Sequence, residues 1–266
     1  SDLGLSVLYL CPLKALLNNL EARLSTLAGL CGRRAGVWHG DVPARDKRRW
    51  RRDPPDLLLI TPESIEALLT GTQLDPHGWF ADVRAVIVDE LHAFAGSDRG
   101  WHLLAVLERV ERIAGRRIQR VGLSATVGNP EAVGAWMQGS TEGRQPVVVV
   151  REESSPPVTP EITVDYVGSM DNAATVISRL HRGEKRLVFA ESRRSAEELA
   201  FLLRERGVQT FVSHSSLSVD ERRQSERAFA EAKDTVIVAT STLELGIDMG
   251  SVDLVVQIEA PPSVAS

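Results

Sequence analysis

The run Val86-Ile87-Val88-Asp89-Glu90-Leu91-His92 sets two adjacent carboxylates at the end of an apolar stretch, with an imidazole two positions on. An apolar strand that ends in acids places them at the carboxyl edge of a parallel sheet, where such sheets bind ligands. Hydrolysis of a nucleoside triphosphate needs such a pair. One carboxylate holds Mg2+, usually through water, and the other orients or deprotonates the attacking water. Asp89 and Glu90 fit those roles. Taken alone, an acidic pair after a strand reads as the cap of the next helix.

About thirty residues on, Leu123-Ser124-Ala125-Thr126 follows a second strand-like run, Ile118 to Leu123. Its hydroxyls can donate or accept, and can exchange partners when surrounding parts move. By itself the segment is an ordinary Ser/Thr turn. Beside the acidic pair it becomes a second piece of one site.

The elements that must hold these residues alternate. Val7 to Leu10 precedes a helical stretch from Leu13 to Leu27, Leu57 to Ile60 precedes Pro62 to Leu69, and Ala85 to Val88 precedes Trp101 to Ile113. Strand then helix, repeated, predicts a doubly wound parallel sheet. Leu103, Leu104, Val106, Leu107, Val110 and Ile113 recur at helical spacing and face a core. The proline- and serine-rich stretch Arg151 to Pro160 cannot supply a core element and reads as a linker. The alternation resumes with Ile162 to Val167, Leu187 to Ala190, Phe211 to Ser213, Val236 to Ala239 and Leu254 to Ile258. Two α/β lobes are expected, 1–150 and 161–266, joined by 151–160 and free to move about that segment.

A chain of 266 residues with 43% apolar content can bury two cores. Its net charge of −5 excludes binding of nucleic acid by bulk electrostatics, so any such contact must be local. No apolar run approaches the roughly 20 residues that span a bilayer. Leu3 to Leu10 lacks a basic leader and meets Pro12 and Lys14 at once, which favours a buried strand over a signal peptide. Cys11 and Cys31 have no metal-ligand spacing and read as small buried residues of an intracellular, cytoplasmic protein. Arg45 to Arg52 is the most basic stretch and reads as the solvated face of a short helix. A lesser reading makes Trp50 a stacking platform for nucleic acid.

The ordered set of motifs resembles the superfamily 2 DEAD/DEAH-box helicases, and most closely the large helicase-related (Lhr) family. Pro12 to Asn19 is similar to motif Ia, Trp38 to Asp41 to the glycine motif and Thr61 to Ser64 to motif Ib. Asp89 to His92 is similar to motif II, Ser124 to Thr126 to motif III, Leu187 to Phe189 to motif IV and Ala239 to Gly250 to motif V, with His214 to Ser218 between the last two. The resemblance covers nearly the whole chain. It implies two RecA-like lobes of a P-loop helicase core, ATP and Mg2+ as cofactors, and a DNA-tracking 3′ to 5′ enzyme acting on single strands or tailed duplexes, with DNA repair as the expected setting. It implies that Asp89 and Glu90 serve catalysis and Mg2+, and that His92, Ser124, Thr126, Gly246 and Asp248 bind ATP or couple to it. It further implies that Lys14, Asn18, Gly40, Thr61, Glu63 and Ser64 line a single-strand track, continued by Thr240 and Ser241. Hydroxyls and helix N-termini can hold phosphates without a large positive charge, which suits the acidic composition.

The sequence holds no Gly-Lys pair, so the phosphate-binding loop of motif I is absent from it, as is an arginine motif VI. The expectation is that both lobes are truncated and that motif I lies before Ser1 and motif VI after Ser266. The intact protein would then hydrolyse ATP and this stretch alone would not. The competing reading is an ATP-inactive nucleic-acid-binding or regulatory protein that keeps the fold. An unrelated doubly wound enzyme with Asp89 as general base leaves the ordered motifs unexplained.

Overall fold

The computed structural model describes residues 4–72, 74–125, 127–140, 146–149, 161–214, 217, 221, 224–225, 228–229, 231–240 and 252–259. The chain divides into two compact units, Ser1–Ser154 and Ser155–Ser266. The linker expected at 151–160 lies outside the described residues. No helix among the described residues is long and apolar enough to cross a membrane.

The first unit is a five-stranded sheet in the order β2-β3-β1-β4-β5, formed by β1 (Val7–Leu10), β2 (Ala35–Trp38), β3 (Leu57–Ile60), β4 (Ala85–Val88) and β5 (Gln119–Gly122). Every pairing is parallel, with Leu8 beside Leu58 and Val86. Near-continuous apolar runs such as Leu57–Ile60 reflect burial on both faces. The helices are α1 (Lys14–Leu30), α2 (Ala44–Arg52), α3 (Pro62–Thr70), α4 (Pro76–Phe80), α5 (Asp98–Ala114) and α6 (Pro130–Met137). One face of the sheet buries Leu8, Leu58, Val86 and the α5 stripe Leu103, Val106, Leu107 and Val110. The other buries Tyr9, Cys11 and Leu59 with Leu16 and Leu17 of α1. Burial of both faces, at roughly 25 cal/mol per Å² of apolar surface removed from water, is the main favourable contribution against the cost of ordering the chain.

The second unit is a four-stranded parallel sheet in the order β7-β8-β6-β9, from β6 (Lys185–Phe189), β7 (Gln209–Ser213), β8 (Thr235–Ala239) and β9 (Leu254–Gln257). Helices α7 (Met170–Ile177) and α8 (Arg193–Glu205) pack on it through Ala174, Ile177, Ala196, Leu199 and Leu203. Central strand β8 is buried along its whole length.

Three expectations need correction. Residues 161–167 form no strand, and Ile162, Val164 and Tyr166 are 79%, 94% and 97% exposed. No described strand of the second sheet pairs with them, so the alternation leaves these apolar side chains exposed. Cys31 is exposed, because it follows the last turn of α1, whereas Cys11 is buried beyond β1. Trp50 is turned inward: a Cβ on Gly36 would stand 2.7 Å from its ring, and its backbone carbonyl accepts from Trp79 Nε1 at 3.3 Å. An indole packed against the sheet cannot stack on a base.

Candidate active site and strand track

The first unit's functional residues lie along the carboxyl edge of its sheet, sorted by strand. Beyond β4, Asp89 is fixed from two sides. Its Oδ1 accepts from the Glu90 backbone N–H at 2.9 Å and its Oδ2 accepts from the Tyr9 hydroxyl at 2.8 Å. Burial, then the hydrogen bond to Asp89, push the Tyr9 phenol far above its ordinary value, so it stays a donor. Burial pushes the Cys11 thiol up as well, reinforced by the Asp89 and Glu90 charges.

Glu90 occupies the left-handed region, φ 49° and ψ 48°, which costs a non-glycine residue roughly 1 kcal/mol or more. That twist turns the chain out of β4 into a single 3-10 turn, Leu91–Ala93. The turn is bonded across to β5, since the Leu91 N–H donates to the Leu123 carbonyl at 2.9 Å and the Leu123 N–H to that of Val88 at 2.8 Å. Gly122 makes the approach possible, because a Cβ there would stand 2.4 Å from Leu91 Cδ2. His92 therefore sits between two other residues of the expected site: its Nδ1 is 2.9 Å from Ser124 Oγ and 3.5 Å from Glu90 Oε2. Thr126 lies outside the described residues.

The expected track residues occupy the ends of β2, β3 and β1. Gly40 follows β2, and a Cβ there would stand 3.1 Å from Lys14 Nζ, which makes an ion pair with Asp41 at 3.1 Å. This bond to Lys14 holds the Asp41 carboxyl below its ordinary value. An exposed pair of this kind is worth at most about 1 kcal/mol, so a phosphate can compete for Lys14. Asn18 Oδ1 meets His39 Nε2 at 3.0 Å, while the Asp41 N–H donates to His39 Nδ1 at 3.3 Å. Those partners fit one neutral tautomer, and burial lowers the His39 pKa to match. Thr61 caps α3 by accepting from the Ser64 N–H at 3.3 Å, with its hydroxyl 3.0 Å from that of Ser64. Glu63 is held by Arg99, whose Nε donates to Oε1 at 2.8 Å and whose Nη2 donates to the Pro12 carbonyl at 3.0 Å. Burial would raise Glu63, but a backbone N–H, Arg99 and Thr61 together hold it below its ordinary value. With strands about 4.8 Å apart, Gly40 and Asp89 stand roughly 14 Å from each other across three pairings.

In the second unit Thr240 follows β8, is buried, and donates its N–H to the Ser213 carbonyl at 3.2 Å. His214, beyond β7, pairs with Glu197 at 2.8 Å. Ser241, Gly246 and Asp248 lie outside the described residues.

Sequence reasoning missed Tyr9, Asp41, His39 and Arg99 as supports of the site. His39 and Asp41 sit inside the quoted glycine motif, so attention to their side chains could have found them. Tyr9 and Arg99 carry no local signal, because their partners are 80 and 36 residues away.

A parallel sheet with this acidic pair at its carboxyl edge, paired in one chain with a second parallel sheet, defines a RecA-like helicase-core fold. The profile of the DEAD/DEAH box helicase family matches residues 1–133, and that of the helicase conserved C-terminal domain matches residues 169–266. The chain belongs to the DEAD/DEAH box helicase family. It is 34% identical to the Lhr helicase/probable uracil glycosylase of Mycolicibacterium smegmatis, over 99% of this chain and 21% of that protein. It is 32% identical to the Lhr helicase/uracil glycosylase of Escherichia coli, over 98% of this chain and 21% of that one. The solved structure of the Mycobacterium smegmatis helicase Lhr bound to ssDNA and AMP-PNP superposes with a TM-score of 0.78 at 35% identity, covering 100% of this chain and 37% of that chain. Mss116p bound to ssRNA and AMP-PNP superposes at 0.81 with 17% identity, covering 100% of this chain and 56% of that one, a likeness of fold alone. The chain thus spans about a fifth of the length of these bacterial relatives, and the resemblance to Lhr helicases drawn from its motifs is borne out.

Proposed function

We propose that the intact protein is an ATP-dependent helicase that couples ATP hydrolysis to movement 3′ to 5′ along a DNA strand, and that this chain is part of its two-lobed motor. The observation that carries the reading is the bridging position of His92, whose Nδ1 lies 2.9 Å from Ser124 Oγ and 3.5 Å from Glu90 Oε2, so that the water-orienting carboxylate and the end of the neighbouring strand meet at one imidazole nitrogen. Such a bridge lets a change at the nucleotide move the strand end beside it. Relatives named as ATP-dependent helicases, and an Lhr structure described as holding ssDNA and AMP-PNP, support the same assignment.

In this reading Glu90 orients the attacking water and Asp89 holds Mg2+ through water. The donor set suits a hard cation: both Asp89 oxygens accept one hydrogen bond and keep lone pairs for water. Bound Mg2+ supplies charge neutralisation to the phosphates. Lys14, Asn18, Gly40, Thr61, Glu63 and Ser64 line the strand path, with Asn18 and Glu63 acting through His39 and Arg99. Thr240 and Ser241 continue the path, and Thr126, Gly246 and Asp248 complete the nucleotide side. No Gly-Lys pair occurs in these 266 residues, so turnover is assigned to the intact, cytoplasmic protein.

The test is strand separation by the intact protein on duplexes carrying a 3′ or a 5′ single-stranded DNA tail, with ATP turnover followed in parallel. ATP-dependent separation restricted to the 3′-tailed duplex is expected. ATP turnover that single strands do not stimulate would overturn the motor assignment in favour of an inactive binding protein.

A further inference from the structure

Helix α2 carries a feature that neither the nucleotide site nor the strand track uses. Residues 45–52 hold six basic side chains and one acid, while the rest of the chain holds 25 basic against 35 acidic residues. At about 100° per residue, Arg45, Arg48, Arg49 and Arg52 fall on one face about 100° wide. All four are exposed and together they line a shallow recess, to which Asp53 contributes the lone acid.

The recess is built on a fixed base. Trp50 anchors the opposite side of α2 against Gly36 and Pro55, and the Trp50 carbonyl accepts from Trp79. Arg51 lies over the Trp38 ring at 5.5 Å, and Lys47 turns away to donate to the Gly40 carbonyl at 3.0 Å. Asp53 does little to neutralise the face, because Arg34 binds both of its oxygens, at 2.5 and 2.8 Å, and holds its carboxyl below the ordinary value. None of the four recess arginines makes an ion pair within 4 Å among the described residues. Among the described residues the face is therefore a set of guanidinium groups without a close ion-pair partner, Arg49 resting over the Trp50 ring at 4.8 Å.

We propose that this face of α2 is a binding surface for the phosphate backbone of a nucleic-acid strand, separate from the track at the sheet edge. Planar guanidinium groups bind phosphate oxygens two at a time, so a row of four arginines suits a run of backbone phosphates. From Arg45 to Arg52 the helix rises about 10 Å, the axial span of about three phosphates of one duplex strand. Its first turn lies next to Gly40 through Lys47, so the face extends the expected track outward, where a duplex or a longer tail would pass. The surface reads no sequence: backbone contacts fix register and leave base identity unread. This inference rests on the nucleic-acid reading of the chain.

The test is a fluorescence anisotropy titration of the full 266-residue chain against a labelled single DNA strand and the same strand annealed to leave a tail, across a salt series. The variants are Arg48→Gln/Arg52→Gln and, independently, Arg45→Gln/Arg49→Gln. A control, Arg112→Gln/Arg117→Gln, removes the same charge from exposed positions elsewhere on that unit. Each recess pair is expected to weaken binding roughly tenfold at low salt and to flatten the log–log salt slope by about 1 to 2, while the control pair changes neither. Recess variants that bind like the parent while their circular dichroism is unchanged would overturn the surface and leave the track reading standing. Equal losses in recess and control pairs would reduce the effect to net charge and overturn it too. A parent chain that binds neither probe would overturn both readings.

Discussion

The Tyr9 hydroxyl donates to Asp89 Oδ2 at 2.8 Å, reaching diagonally from one strand to the residue just beyond its neighbour. Tyr9 pairs in register with Ile87, so Asp89, two residues on, shares its face of the sheet. The phenol can therefore fix the carboxylate's rotation from within the core. Tyr9→Phe keeps the ring and removes only the donor. It should cost about 1 to 2 kcal/mol in stability and raise the Mg2+ concentration needed for nucleotide binding by the intact protein roughly tenfold. Titration of a fluorescent ATP analogue against Mg2+ reads this directly. The same substitution made on top of Asp89→Asn should have no further effect on Mg2+ dependence, and an added loss there would mean that Tyr9 acts elsewhere.

Glu90 combines a chemical role with a strained backbone, and substitutions can separate the two. Glu90→Gln should lower ATP turnover of the intact protein by about 10² to 10⁴ while Mg-ATP binding persists. Glu90→Gly should lose turnover as well but relieve the left-handed strain, with a stability gain of about 1 kcal/mol. Thermal melts of the two variants that coincide would remove the strain argument.

His92 and Ser124 should behave as one unit. His92→Ala and Ser124→Ala each break the same 2.9 Å contact, so in DNA-stimulated turnover the double variant should be no worse than the poorer single. Losses that multiply would show two independent roles.

Arg120, only 4% exposed, bonds Glu108 at 2.7 Å, Glu111 at 2.9 Å and the carbonyls of Met137 and Gln138 at 3.1 Å. Arg120→Met should cost about 2 to 4 kcal/mol, since it removes the buried guanidinium that bonds two partly buried carboxylates and two backbone carbonyls at once. Burial raises Glu108, but Ser140 and Arg120 outweigh it and hold the carboxyl below its ordinary value near 4.5. Its contribution is thus fully present above about pH 4.5 and lost as the pH falls through the lower folded value. All five tryptophans, Trp38, Trp50, Trp79, Trp101 and Trp136, belong to the first unit, so their fluorescence follows this unfolding separately from the second. In Arg120→Met the acid-side loss should shrink.

The parts of the fold that could be read in the sequence are those whose cause is local. The apolar run ending in Asp89 announces its strand and its carboxyl edge, because both the burial and the chemistry sit in consecutive residues. Strand β2 was harder to see, since Ala35 and Gly36 open it and Gly36 is there to admit the Trp50 ring. The stretch 162–167 shows the converse, an alternating pattern without a partner to make it a strand. The site divides in the same way. Glu90, His92 and Ser124 could be named in advance, whereas Tyr9 and Arg99 act across folded distances that spacing does not encode.

The two thiols differ in a way that serves the experimenter. Cys31 stands open at the end of α1, while Cys11 is buried with its thiol held protonated beside Asp89 and Glu90. Alkylation proceeds through the thiolate, so a maleimide should add once, at Cys31, and leave Cys11 untouched until the first unit unfolds. The unaltered sequence thus offers a single attachment point for a dye, distant along the chain from the carboxylates, and a second thiol whose delayed labelling times the opening of the sheet edge that carries them.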